Sequence, residues 1–314
     1  MKIVFLGTPE FAVASLRALV ENNFNVVGVV TVPDKRSGRG LKLQQSAVKK
    51  YSVQNNIKVL QPKNLKDDSF QKELKALKPD LQIIVAFRML PQSVWQLPKY
   101  GTFNLHGSIL PNYRGAAPIN WALMNGEKET GVTTFFLDDE IDTGEIIDCH
   151  KIKIGDNETA GEVHDRLMII GADLVVKTAR KIKLGSVSTQ NQSDILKGQK
   201  PKLAYKIFKE SCKIDWTQTS DKVHNHIRGL SPYPAAFSTL KFPNGKELGF
   251  KVFKAAQSNR TLKSGTMEIE GKKALFIGCG KGSIQVFELQ LAGKKRMSTQ
   301  SFLQGLTLDG VNLV

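Results

Sequence analysis

Short apolar runs with no polar alternation, Lys2–Leu6, Asn25–Thr31 and Asp80–Ala86, most limit what this chain can become. A strand of that kind must be covered on both faces, as strands are in a parallel sheet flanked by helices. The intervening segments supply the helices. Phe11, Ala14, Leu16 and Leu19 recur at roughly helical spacing, with Thr8 as N-cap and Pro9 at the first helical position. Gln45–Asn55 and Asp67–Leu77 read as two more helices, with a short strand at Ile57–Leu60 between them. The alternation predicts an α/β fold, a doubly wound and mostly parallel Rossmann-like sheet. Its first turn, Gly7-Thr-Pro-Glu10, lacks both G-x-G-x-x-G and the Walker lysine and serine, so no dinucleotide is expected there.

The chemistry concentrates further along. Gly101-Thr-Phe-Asn-Leu-His-Gly-Ser-Ile-Leu-Pro-Asn-Tyr-Arg-Gly115 begins as a buried strand and breaks at Gly107 into a loop. Asn104 and His106, two residues apart on that strand, project on the same side. An amide donor beside an imidazole suits attack on a carbonyl, which needs a donor for the developing oxyanion and a group to move a proton. The acidic loop Asp138-Asp-Glu-Ile-Asp-Thr-Gly144 follows the apolar strand Gly131–Leu137 and could bring a carboxylate to orient His106. A structural histidine and a solvated acidic turn are the alternatives on these residues alone.

The string Asn104-Leu-His-Gly-Ser-Ile-Leu-Pro-x-Tyr-Arg-Gly115, followed by Ala116-Ala-Pro-Ile119 and by Asp142-Thr-Gly144, resembles the folate-dependent formyltransferases. The resemblance is closest to the branch acting on methionyl-tRNA. It implies Asn104, His106 and Asp142 as catalytic residues. It also implies 10-formyltetrahydrofolate as co-substrate, bound by Ser108, Ile109, Leu110 and Pro111 with Phe87 and Leu90, and initiator methionyl-tRNA as partner. Phe87-Arg-Met-Leu-Pro91 departs from that branch, which more usually has an aromatic followed by glycine, and lies nearer the glycinamide-ribonucleotide branch. Sugar-nucleotide or glycinamide-ribonucleotide acceptors, and a non-catalytic RNA-binding protein, are the competing readings.

Pro33-Asp-Lys-Arg-Ser-Gly-Arg-Gly-Leu-Lys42 is a glycine-hinged basic loop at the carboxyl end of the second strand, where ligand sites of open α/β sheets lie. The resemblance places Arg36, Arg39 and Lys42 on the acceptor end of the tRNA, with Arg39 at the position of the key arginine. Charge points the same way, because the net +16 is uneven. Residues 1 to 200 carry 27 positive and 21 negative groups, whereas residues 201 to 314 carry 18 and 8. Such a field favours a polyanion.

The remaining signals bound the setting. Cys149, Cys212 and Cys279 are too scattered for a disulfide framework or a zinc pair, and His224 with His226 suggests no metal. A cytoplasmic monomer with no membrane segment is expected. Glu145–Ile154 alternates as an edge strand, and Thr159–Lys183 is a long amphipathic helix. Residues 1–184 are read as the catalytic domain, 185–204 as a polar linker without periodicity, and 205–314 as a smaller β-barrel; Ile214-Asp-Trp216 with His224-Asn-His-Ile-Arg-Gly-Leu-Ser-Pro-Tyr-Pro234 resembles the formyltransferase carboxyl-terminal module, which implies an OB-like barrel that binds tRNA. Within it one helix, Ser220–Gly229, precedes short strands, and Arg260, Lys272, Lys273 and Lys294-Lys-Arg296 are candidate phosphate contacts.

Overall fold

The computed structural model describes residues 1–37, 42–306 and 308–314. Strand β1 (Lys2–Gly7) leads into α1 (Glu10–Glu21), β2 (Asn25–Val30), the short strands β3 (Lys35–Ser37) and β4 (Lys42–Gln44), and α2 (Ala47–Gln54). Then come β5 (Val59–Leu60), α3 (Asp68–Ala76), β6 (Leu81–Val85), α4 (Gln92–Trp95), β7 (Thr102–His106), β8 (Arg114–Gly115) and α5 (Pro118–Met124). Next are β9 (Glu129–Phe136), β10 (Ile146–Lys153), α6 (Ala160–Leu184), α7 (Gln192–Leu196) and β11 (Leu203–Ala204). The chain divides into two compact units that interleave in sequence. The first takes residues 1–115, 131–152 and 164–203; the second takes 116–130, 153–163 and 204–314.

In the first unit the sheet order is β10-β9-β7-β6-β1-β2-β5. From β5 to β7 neighbouring strands are parallel, and β9 joins β7 antiparallel. Ile3, Val4, Phe5, Leu6, Ile83 and Val85 are almost wholly removed from solvent, as two-sided burial of a parallel sheet requires. The strand order reverses direction across β1, and the crevice for a ligand in such sheets opens at the carboxyl ends of the strands there. Helix α1 starts one residue later than the sequence implies. Pro9, not Thr8, occupies the N-cap and no side chain caps the helix; Glu10 instead places negative charge in the first turn, against the positive end of the helix dipole.

The second unit continues with α8 (Ser220–Leu230), β12 (Ala236–Lys241), β13 (Glu247–Ser258), β14 (Met267–Glu270), β15 (Ala274–Gly278), β16 (Ser283–Leu291), β17 (Met297–Ser298), α9 (Thr299–Gly305) and β18 (Asn312–Leu313). The sheet runs β14-β15-β16-β13-β12-β18, with β17 added to β16, and its pairings are antiparallel. Register shifts at Val252/Lys254 and Lys254/Ala255 in β13 are the kind of irregularity that bends a strand, and the sheet is a curled half-barrel that ends at β14 and β18 without closing. Its core includes Ile214, Trp216, Ile227, Phe250, Ile284 and Phe302, with Trp216 Nε1 donating to Ser238 Oγ at 2.9 Å. Helix α9 escapes a periodicity reading because it is seven residues long and mostly polar, but Ser298 caps it and Phe302 and Leu303 anchor it. Among the described residues no helix is long and apolar enough to cross a membrane.

Two histidines of α8 are biased toward the neutral form. Burial pushes the His224 and His226 imidazoles below their ordinary value of 6.5, for His224 with help from the Arg228 charge, and neither Nε2 has a hydrogen-bond partner among the described residues. The unfolded chain therefore takes up protons at a higher pH than the folded one. Stability is fully present above pH 6.5 and is lost as pH falls from there through the lower folded values. The urea midpoint should decline between about pH 7 and pH 5, and replacing both histidines with leucine should flatten that decline. Equal slopes for the two proteins would count against it.

Candidate active site

Strand β7 sets the site because its register is fixed on both edges. Asn104 lies opposite Ile84 of β6 and Phe135 of β9, and His106 opposite Thr133. His106 is 6% exposed and its ring meets Phe135 edge-on, at 6.4 Å between centroids. Its Nε2 is 2.8 Å from the carbonyl oxygen of Tyr113. A carbonyl can only accept, so Nε2 carries the hydrogen in the neutral ring and Nδ1 is left bare. Nδ1 in turn faces Asp142 Oδ2 at 3.7 Å, longer than a hydrogen bond but within the range of an ion pair once the ring takes up a proton. The acidic loop thus does bring its carboxylate to His106. Asn104 is half-buried, and its side chain makes no hydrogen bond to a described residue, which leaves its amide N–H groups available to a ligand.

Two backbone positions at this centre are left-handed, Tyr113 with φ +63° and Asp142 with φ +57°. Aspartate tolerates that region, whereas for tyrosine it is costly, on the order of 1 kcal/mol or more. Tyr113 is fixed because its N–H donates to the Lys202 carbonyl at 2.6 Å while its own carbonyl holds His106. Asp142 is fixed through its carboxylate, where Oδ2 accepts the Gly115 N–H at 2.9 Å. The intervening loop is braced from β9. Thr133 Oγ1 donates to the Ser108 carbonyl at 2.7 Å and accepts the Leu110 N–H at 3.2 Å, and the Ser108 hydroxyl donates to the Asn112 carbonyl. The Leu110–Pro111 peptide is cis.

The other expected site residues are less alike. Leu110 packs with Phe135 and Ile146, and Leu90 with Val4, Leu6 and Val94, so both are core residues behind the loop. Ser108 and Pro111 are buried, and Ile109 and Phe87 are half-buried. Arg88, the departure noted above, donates to the carbonyls of Pro62 at 2.6 Å and Lys63 at 2.8 Å and lies 5.8 Å from the Phe87 ring centroid. Its role here is to tie two loops at the carboxyl side of the sheet. Arg36 is exposed on β3, paired in register with Leu43 of β4. Arg39 lies outside the described residues, as does the Lys42 side chain.

In the second unit the expected phosphate contacts separate by type. Arg260 is paired with Glu268 and Glu270 over the Phe276 ring, and Arg296 with Glu288 over Phe253. Their charges are matched internally, which corrects the expectation that both serve a polyanion. Lys272, Lys273, Lys294 and Lys295 are exposed. Among the described residues no group of three or more His, Cys, Asp or Glu side chains is placed to hold a metal.

Sequence reasoning missed Tyr113, Thr133, Arg114 and Gln192. Thr133 gave a signal, since it and Thr134 are polar residues inside a buried strand. Gln192 gave none, since it falls in a polar stretch where no periodicity marks the five residues of α7.

Comparison with known proteins identifies the family. Residues 1–178 match the family Formyl transferase, and residues 206–307 match Formyl transferase, C-terminal domain. The chain is 53% identical over 311 residues to the methionyl-tRNA formyltransferase of Flavobacterium johnsoniae, covering 98% of this chain and 97% of that protein. It is 49% identical to the protein of the same name from Bacteroides thetaiotaomicron, covering 100% and 98%. Among solved structures, the N-formyltransferase of Helicobacter canadensis, in complex with folinic acid and dTDP-3-aminofucose, aligns with a TM-score of 0.67 at 22% identity. That alignment covers 95% of this chain and 100% of the other, a likeness of fold. With both family descriptions matched in order along its length, this chain belongs to the formyl transferases.

Proposed function

We propose that the chain transfers the formyl group of 10-formyltetrahydrofolate to the α-amino group of initiator methionyl-tRNA, giving N-formylmethionyl-tRNA. The observation that carries this is the meeting of an amide with no hydrogen bond to a described residue, a buried imidazole and a carboxylate at the end of β7. It occurs in a chain about half identical, over its full length, to proteins named for that reaction.

In this reading the neutral amine attacks the formyl carbon and the carbonyl electrons move to oxygen. Asn104 donates to that oxygen, and His106, oriented by the Tyr113 carbonyl and by Asp142, donates beside it. Asp142, directly or through a water, passes the amine's proton toward the folate nitrogen as the C–N bond to the donor breaks. No covalent enzyme intermediate is needed. On the folate side, the half-buried Ile109 and Phe87 have apolar surface to offer a flat ring, while Leu90 and Leu110 support them from the core. Ser108 and Pro111 complete that wall.

The tRNA reading of the partner rests on the charge of residues 201 to 314 and on the relatives' names. Arg36, Arg39 and Lys42 are assigned to the acceptor end, and the exposed lysines of the second unit to phosphates. Affinity for methionyl-tRNA should then fall steeply with salt, by about 10³-fold between 50 and 200 mM for roughly six phosphate contacts. A flat salt response would remove the electrostatic face. The acceptor is tested by offering the purified protein the folate donor with methionyl-tRNA, a sugar-nucleotide amine or glycinamide ribonucleotide. Formylation of the tRNA alone is expected, and preference for either small amine would overturn the assignment.

A further inference from the structure

Gln192 sits on α7, in a stretch that carries no catalytic residue in the reading above, yet it is 1% exposed and all its polar valences are engaged at the site. Its Nε2 donates to the Asp142 carbonyl at 2.9 Å and to the Gly144 carbonyl at 2.8 Å, which uses both amide hydrogens. Its Oε1 accepts from Arg114 Nε at 3.0 Å and from a terminal nitrogen of the same guanidinium at 2.8 Å. Arg114 is followed by Gly115, whose N–H binds the Asp142 carboxylate. The contacts form a closed circuit, from Gln192 to the Asp142 backbone, through the carboxylate to Gly115, along the chain to Arg114, and back to Gln192.

That circuit has one free choice in it, the direction of the Asp142 carboxylate. Asp142 is left-handed, it follows the exposed stretch Asp138–Ile141, and its Oδ2 must face both the Gly115 amide and His106. We infer that Gln192 is a positioning residue for the transfer reaction, holding the Asp142–Gly144 backbone against Arg114 so that the carboxylate stays aimed at His106. It acts through Asp142 and touches neither substrate. The inference rests on the function proposed above, so its test includes a readout that needs no turnover.

Gln192→Met keeps the length and volume and removes every hydrogen bond; Gln192→Glu keeps the acceptor for Arg114 and removes both donors. In each, amide hydrogen exchange at Gly115 should speed up by about 10-fold, with the β1 and β6 amides unchanged. In formyl transfer, kcat should fall by about 10- to 100-fold with KM for either substrate within about 3-fold, as is usual when a residue orienting a catalytic group is lost. Combined with Asp142→Asn, Gln192→Met should add almost no further loss, because both changes remove one function. Unchanged Gly115 exchange in both variants would overturn the inference whatever the activity. So would a loss that multiplies with that of Asp142→Asn. If the wild type transfers no formyl group but Gly115 exchange responds as stated, the functional reading fails, and what stands is the hold of Gln192 on the Asp142–Gly144 backbone.

Discussion

Asn104→Ala should lower kcat for formyl transfer by about 10²- to 10³-fold, the usual cost of removing one preorganised oxyanion donor. The expectation follows from what the side chain lacks in the free protein. Asn104 is pinned in register between Ile84 and Phe135, yet its amide has no hydrogen bond to a described residue. Its removal breaks nothing in the fold, and the free energy of unfolding in urea should stay within about 0.5 kcal/mol of the wild type. Affinity for both substrates should also hold, since an oxyanion donor acts mainly in the transition state. Steady-state kinetics beside a denaturation curve separates these effects. A full rate, or a large loss of stability, would show that the amide is structural.

Gly144→Ala should do damage of another kind. A Cβ at Gly144 would lie 1.8 Å from the Phe136 carbonyl oxygen and 2.9 Å from its carbon. Both are backbone atoms of β9, so no side-chain rotation relieves the clash and the loop must leave the strand. Overpacking of this kind costs about 1–3 kcal/mol, and more where backbone has to move. The Gly144 carbonyl is also one of the two that Gln192 holds. Asp142, two residues back, moves with the loop, and a displacement near 1 Å at a positioned group costs about 10²-fold in rate. Urea denaturation and kcat should therefore fall together in this variant, in contrast to Asn104→Ala. A variant with wild-type midpoint and rate would contradict the placement of the loop.

The parallel sheet was legible in the sequence because two-sided burial leaves a signature, and Ile3–Leu6 and Ile83–Val85 carry it without interruption. The catalytic strand was legible for a different reason. Asn104 and His106 are polar at alternate positions of a buried strand, where polarity needs a purpose. What the sequence left unreadable depends on contacts between distant segments. Gln192 reaches Asp142 across fifty positions and Arg114 across seventy-eight, and nothing local marks it as different from its polar neighbours. The left-handed backbone of Tyr113 is equally silent, since it is imposed by Lys202 and His106 and not by tyrosine's own preference. In the second unit, net charge pointed to a polyanion, but it could not show that Arg260 and Arg296 spend their charge on Glu268, Glu270 and Glu288.

The sharpest measurement is single-turnover formyl transfer, with the protein saturated by a labelled 10-formyl donor and by methionyl-tRNA. The wild type should place the label on the methionyl nitrogen. His106→Ala and Asp142→Asn should each slow that step, and the double variant should be no slower than the worse of the two, as expected for residues that act as a unit. Failure of the wild type to label the tRNA, or undiminished single-turnover rates in both variants, would contradict it.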